Sequence, residues 1–103
     1  MDIKKFDIIL TEMAKKDLEN IYEYIYGSLK EIKVADRLMR KIEAEIFSLE
    51  ISPSRYMKVH IKPKDDVYRR LIIDNYIVLY KVNIKCEEVI IYKVLYGGMD
   101  YLK

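Results

Sequence analysis

Glycine and proline are scarce in this chain, 3 and 2 among 103 residues of which 51% are hydrophobic. That balance argues against low complexity and intrinsic disorder, and the chain should fold. Cysteine occurs once, at Cys86, so no internal disulfide can form. Histidine also occurs once, at His60, and with no cysteine or second histidine beside it a metal site is not expected. Long apolar runs are missing too. Nothing reaches the roughly 18 residues that a membrane span needs, and nothing has the layout of a cleavable signal, so a cytoplasmic protein with no membrane partner is expected. No cofactor and no small-molecule ligand is called for. The length suits one domain, residues 1–103, with a single core of two layers.

Net charge is +2, too small by itself to mark a nucleic-acid binder. Its distribution is uneven. Glu12 to Glu50 holds 7 basic and 9 acidic residues, whereas Arg55 to Arg70 holds 6 basic and 2 acidic. The basic middle is either a solvated loop or a patch that faces a partner, and the sequence leaves both open.

Phe6 to Leu10 is a short β-prone run that ends at Thr11, whose hydroxyl can accept from a free amide of a following helical turn. Ala14, Leu18, Ile21, Tyr22, Ile25 and Leu29 then share one helical face, and Gly27-Ser28 lies near that helix's end. A second helix is marked by Val34, Leu38, Ile42, Ala44, Ile46 and Leu49, and must stop before Ser52-Pro53. Together they predict a helical hairpin. Residues 52–66 lack either period and carry both prolines, which predicts an irregular connector of about fifteen residues. Two strands, Tyr68 to Ile73 and Tyr76 to Val82, flank Asp74-Asn75, a pair that tolerates the left-handed backbone of a two-residue hairpin turn. A last strand spans Val89 to Tyr96. The expected fold is α+β, in the order β-α-α-β-β-β, with the N-terminal strand and helical hairpin packed on a mainly antiparallel sheet.

A two-residue turn pairs Ile73 with Tyr76 and so assigns faces. Arg69, Leu71, Ile73, Tyr76, Val78 and Tyr80 should pack on the helices, with the phenols of Tyr76 and Tyr80 reaching polar edges. Tyr68, Arg70, Ile72, Ile77, Leu79 and Lys81 should form the outer face. That face is strongly apolar for a surface, which suggests that something covers it. Arg69, pointing inward, is expected to pair with an acid of the hairpin, and Cys86 to be an inert loop thiol.

Three segments of this outline, Tyr68-Arg69-Arg70-Leu71-Ile72-Ile73, Asn75-Tyr76-Ile77-Val78-Leu79-Tyr80 and the stretch from Val89 through Tyr96-Gly97-Gly98-Met99-Asp100-Tyr101, resemble the RelE/ParE superfamily. The likeness spans nearly the whole chain. It implies a bacterial toxin of a type II toxin-antitoxin system, an addiction module of the plasmid-stabilising kind, neutralised by a cognate antitoxin whose tail wraps the toxin body. RelE-like members cleave mRNA on the ribosome, and ParE-like members poison DNA gyrase.

A ribonuclease of this sort needs an acid, a base and cations for the charge that develops on phosphate. The resemblance places such groups on the outer sheet face and after the last strand. Here Ile77 stands where those nucleases usually carry an arginine, and Tyr96, Gly97, Gly98 and Met99 replace a basic or histidine-containing segment. Only Arg70 matches. The favoured expectation is therefore a ParE-like gyrase inhibitor with no assigned catalytic residue, using Tyr68, Arg70, Ile77, Leu79, Lys81, Tyr96, Met99 and Tyr101 toward target or antitoxin. One alternative is a metal-independent endoribonuclease built from Arg70, Lys81 or Lys93 with Tyr96, Tyr101 or His60. Another is a degenerate module that binds antitoxin without toxicity. Gly97-Gly98 would let the tail present its aromatics, unless the tail simply packs down.

Overall fold

The computed structural model describes residues 5–28, 31–61 and 66–97. In chain order these form β1 (Asp7–Leu10), α1 (Glu12–Ser28), α2 (Ile32–Phe47), two 3-10 turns (Ser48–Glu50 and Pro53–Arg55), β2 (Lys58–Ile61), β3 (Asp66–Ile73), β4 (Tyr76–Asn83) and β5 (Glu88–Tyr96). Leu29, Gly98, Met99 and Tyr101, to which the sequence assigned roles, lie outside the described residues. The sheet has the order β1-β5-β4-β3-β2. β1 runs parallel to β5, as strands joined through a helical crossover can, and the other neighbours are antiparallel.

Thr11 starts α1 as expected: its Oγ1 accepts from the Ala14 amide at 3.1 Å. Ala14 and Ile25 are buried along one stripe, with Leu18, Ile21 and Tyr26 packed beside them. In α2 the buried stripe is Ala35, Met39, Ile42 and Ile46, continued by Leu49. Ile42, Ile46 and Leu49 are the residues expected there, and Leu38 packs against the same core. Val34 and Ala44 are exposed, because the small Ala35 and the adaptable Met39 take the inward positions despite a weaker hydrophobic signal.

The β3–β4 register is the predicted one, Ile73 opposite Tyr76 through Arg69 opposite Tyr80. Asp74 supplies the left-handed residue of the turn, with φ 52°. Leu71, Ile73, Tyr76, Val78 and Tyr80 join the helices in the main core, together with Val89, Ile91 and Val94 of β5. Each such side chain contributes roughly 1.5–3 kcal/mol on leaving water. Tyr80 is fully buried, and its hydroxyl donates to the Pro53 carbonyl at 2.6 Å. Burial pushes its pKa well above the ordinary tyrosine range.

The expected irregular connector over 52–66 is corrected by the structure, which places a 3-10 turn and the whole of β2 within it. β2 has four residues, with Val59 buried and Lys58 and His60 exposed, so its alternation is too brief to stand out. The chain before it is tied down by Arg55, whose guanidinium donates to the carbonyls of Ile51 and Ser52 and to Ser48 Oγ. That strap holds Ser52 in a left-handed conformation, φ 50°, directly before Pro53.

β5 contains a bulge. Leu79 faces Lys93 but Tyr80 faces Ile91, so Tyr92 is an extra residue with no partner in β4. Just there β1 has ended, and α1 supplies the missing partners. The Thr11 hydroxyl donates to the Tyr92 carbonyl at 3.0 Å, and the Val94 amide donates to Asp17 Oδ2 at 3.0 Å. The cap of α1 and a side chain from its second turn thus satisfy backbone that a strand would otherwise have to reach.

Candidate functional site

The outer face of the sheet carries its own small core. Val59, Ile77 and Leu79 are buried together, with Ile61, Tyr68 and Leu95 packed against them. Part of the cover that the apolar pattern called for is therefore supplied by the chain itself, through β2 and β5. Ile77 is only 7% exposed and Leu79 4%, whereas Ile72 stays 55% exposed.

Around this apolar centre lie the cations. Arg70 faces Leu79 across one strand boundary and Leu79 faces Lys93 across the next, so Arg70 and Lys93 flank Leu79 in a single row. The Arg70 amide donates to the Met57 carbonyl at 3.0 Å, and its Nη2 reaches Met57 Sδ at 3.4 Å. Lys81 Nζ lies 4.7 Å from the centre of the Tyr68 ring and 5.5 Å from that of Tyr92, and those two rings meet edge to face at 5.3 Å. An ammonium between two π faces is attracted to both. Tyr92, absent from the sequence-based candidates, enters this group because it alternates with the buried Ile91, and the bulge then keeps Lys93 on the same face. Strict alternation would have turned Lys93 toward the core.

The structure divides the sequence candidates. Tyr68, Arg70, Ile77, Leu79, Lys81 and Lys93 share the outer face. Tyr96 does not. It stands opposite Tyr76 on the helix-facing side, the rings edge to face at 5.8 Å. Tyr76 is mostly buried, and this, with Tyr24 and Tyr96 beside it, raises its phenol pKa. Gly97 is held at the end of β5, its amide donating to the Asn75 carbonyl, and a Cβ there would sit 2.9 Å from that oxygen. At this glycine the requirement is close approach of two backbones. His60, next to Val59 of the outer-face cluster on an edge strand, faces the opposite side of the sheet.

Part of the basic middle is committed internally. Arg55 straps its own loop, and Arg69 Nη1 donates to the Tyr56 carbonyl at 2.7 Å. The ion pair expected between Arg69 and an acid of the helices does not form among the described residues. Cys86 is exposed in the β4–β5 turn, its amide donating to Asn83 Oδ1 at 3.1 Å. Among the described residues there is no cluster of side chains able to hold a metal ion, and no helix long and apolar enough to cross a membrane.

A second concave feature lies on the helix side. A cavity of about 630 Å³ opens between α1 and the end of β5, with Asp17, Ile21 and Tyr24 on one wall and Tyr76, Val94 and Tyr96 on the other.

Among curated proteins none matches this sequence. Solved structures share its fold. A chain of the chromosomal ParDE toxin-antitoxin system from Pseudomonas aeruginosa (P. aeruginosa) superposes with a TM-score of 0.69 at 17% identity, covering 90% of this chain and 97% of that one. A chain of the RelBE2 toxin-antitoxin complex from Mycobacterium tuberculosis gives 0.64 at 18% identity, covering 92% and 97%. A chain of the archaeal RelE-RelB complex from Pyrococcus horikoshii gives 0.62 at 19% identity, covering 93% and 99%. The model of the ParE toxin family matches residues 8–101, from β1 through the aromatic tail. A match over that span, on a strand, a helical hairpin and a sheet in the order described, establishes that this chain belongs to the ParE toxin family of type II toxin-antitoxin systems.

Proposed function

We propose that this toxin is held by a cognate antitoxin in the cytoplasm and, when released, binds and inhibits DNA gyrase without cutting RNA. The observation that carries this reading is the filled outer face. Where a nuclease needs an open basin with a base and an acid, Ile77 and Leu79 are buried side by side with Val59. His60 faces away from that cluster, and Tyr96 is on the other side of the sheet. The cations that remain, Arg70, Lys81 and Lys93, give the face positive potential suited to a partner surface or to phosphate. Membership of the ParE family supports gyrase as the target.

The row formed by Arg70 and Lys93, with Lys81 and two tyrosines beside it, is the one feature that favours the ribonuclease reading. One pair of assays separates the two. Purified toxin is expected to block gyrase supercoiling of plasmid DNA and to leave ribosome-bound mRNA intact. Cleavage of that mRNA with supercoiling untouched would reverse the assignment.

A further inference from the structure

The end of β5 has an edge that the chain finishes only in part. β1 lies beside β5 from Glu88 to Ile91 and then gives way to α1. Thr11 and Asp17 satisfy the Tyr92 carbonyl and the Val94 amide. Beyond them, residues paired with β4 alternate with residues whose backbone points away from it, and Gly97 is of the first kind because its amide bonds to Asn75. The Val94 carbonyl and the Tyr96 backbone are therefore directed outward. Among the described residues no strand runs alongside them.

This edge borders the helix-side cavity, whose volume of about 630 Å³ falls in the range of binding clefts. Its α1 wall presents Asp17, Ile21 and Tyr24, one helical stripe. Two of the aromatics are open to water, Tyr24 at 67% and Tyr96 at 50% exposure. The helix wall is also acidic: Asp17 to Ser28 contains three acids and no basic residue, and Lys93, the one basic residue along the lining, is paired with Leu79 on the outer face of the sheet. Asp17 faces the cavity, while Glu19 and Glu23 are exposed on the far side and add to the field.

We infer that this groove receives an extended, basic segment of the antitoxin, which adds to β5 as a strand. Its backbone bonds to the Val94 carbonyl and the Tyr96 amide, and a lysine or arginine side chain lies against Tyr24 and Tyr96 beneath the acidic helix. Main-chain pairing gives such a segment affinity, and the aromatic-lined pocket gives it specificity. The inference rests on the antitoxin partnership proposed above. It assigns the partner a place distinct from the outer face.

The test uses purified full-length toxin and its co-expressed antitoxin, separated and remixed. Tyr24→Lys, at an exposed position that should not disturb folding, is expected to weaken the complex by ~30-fold or more, as loss of an interface aromatic with added like charge should. In the same complex the Tyr96 amide is expected to exchange with solvent at least ~10-fold more slowly than in free toxin. Ile72→Ser, comparably exposed on the outer face, provides the comparison and should leave this loss unmatched. Unchanged affinity of Tyr24→Lys, or an unprotected Tyr96 amide in a tight complex, overturns the groove assignment and leaves the antitoxin partnership standing. Failure of the unaltered toxin to bind the antitoxin removes both. If free toxin dimerises and Tyr24→Lys makes it monomeric, the occupant is a second copy and the inference is wrong.

Discussion

Thr11 holds two elements together through one hydroxyl, which makes Thr11→Val the most direct probe of how α1 is seated on the sheet. The oxygen accepts from the Ala14 amide at 3.1 Å and donates to the Tyr92 carbonyl at 3.0 Å. Valine keeps the shape and loses both bonds. A helix cap is worth about 1 kcal/mol, and a net hydrogen bond about 0.5–1.5 kcal/mol, so the combined loss is roughly 2 kcal/mol. In a domain of this size that lowers Tm by roughly 8–12 °C. Urea unfolding followed by circular dichroism measures the free energy directly, and the slope with denaturant should be unchanged because the same surface is exposed. Thr11→Ser should restore most of the loss. If Thr11→Val falls within about 0.5 kcal/mol of the parent, the dual role is wrong, since that is the range of an ordinary surface substitution.

Tyr80→Phe should cost about 1–3 kcal/mol in the same assay, because it leaves the buried Pro53 carbonyl without its donor. The Tyr26 hydroxyl donates to Asp36, and that bond, with burial and the carboxylate charge, raises the Tyr26 pKa to about 12. An unfolded tyrosine titrates near 10 and the folded one later, so the unfolded chain loses its proton first and stability falls as pH rises from about 10 to about 12. Tyr26→Phe should flatten that decline, and an equally steep fall in the variant would point to another group. Arg70→Glu should abolish growth arrest while leaving thermal stability within about 1 kcal/mol, because Arg70 sits at the rim of the outer face. Full toxicity in a well-folded Arg70→Glu protein would remove the outer face from the mechanism.

Much of this fold was legible because its elements obey clean periods. The Asp74-Asn75 turn fixed the β3–β4 register, and that register alone separates Arg70 from Arg69. Four features escaped for physical reasons. β2 is an edge strand of four residues whose stability comes from pairing with β3 and from the Arg55 strap, neither of which is a local property. The placement of Tyr96 escaped because period-2 counting along β5 cannot register an added residue. In α2, Ala35 and Met39 were missed because they pack well without looking strongly apolar. On the outer face, composition revealed an excess of apolar residues but not that Ile77 and Leu79 bury one another.

The bulge at Tyr92 makes β5 a strand with two phases. Before it, odd-numbered residues such as Val89 and Ile91 enter the core; after it, the even-numbered Val94 does, and Tyr96 follows on the same side. Were β5 to alternate without interruption through Tyr92, Lys93 would enter the core and Tyr96 would join Arg70; the unpaired residue exchanges the two, and deleting it would leave Lys93 opposite Leu79 and Tyr96 opposite Tyr76 in an unbulged ladder. The tail's chemistry is thus assigned to a side by one spacer residue, and sequences aligned without regard to that spacer would compare surfaces that face opposite ways.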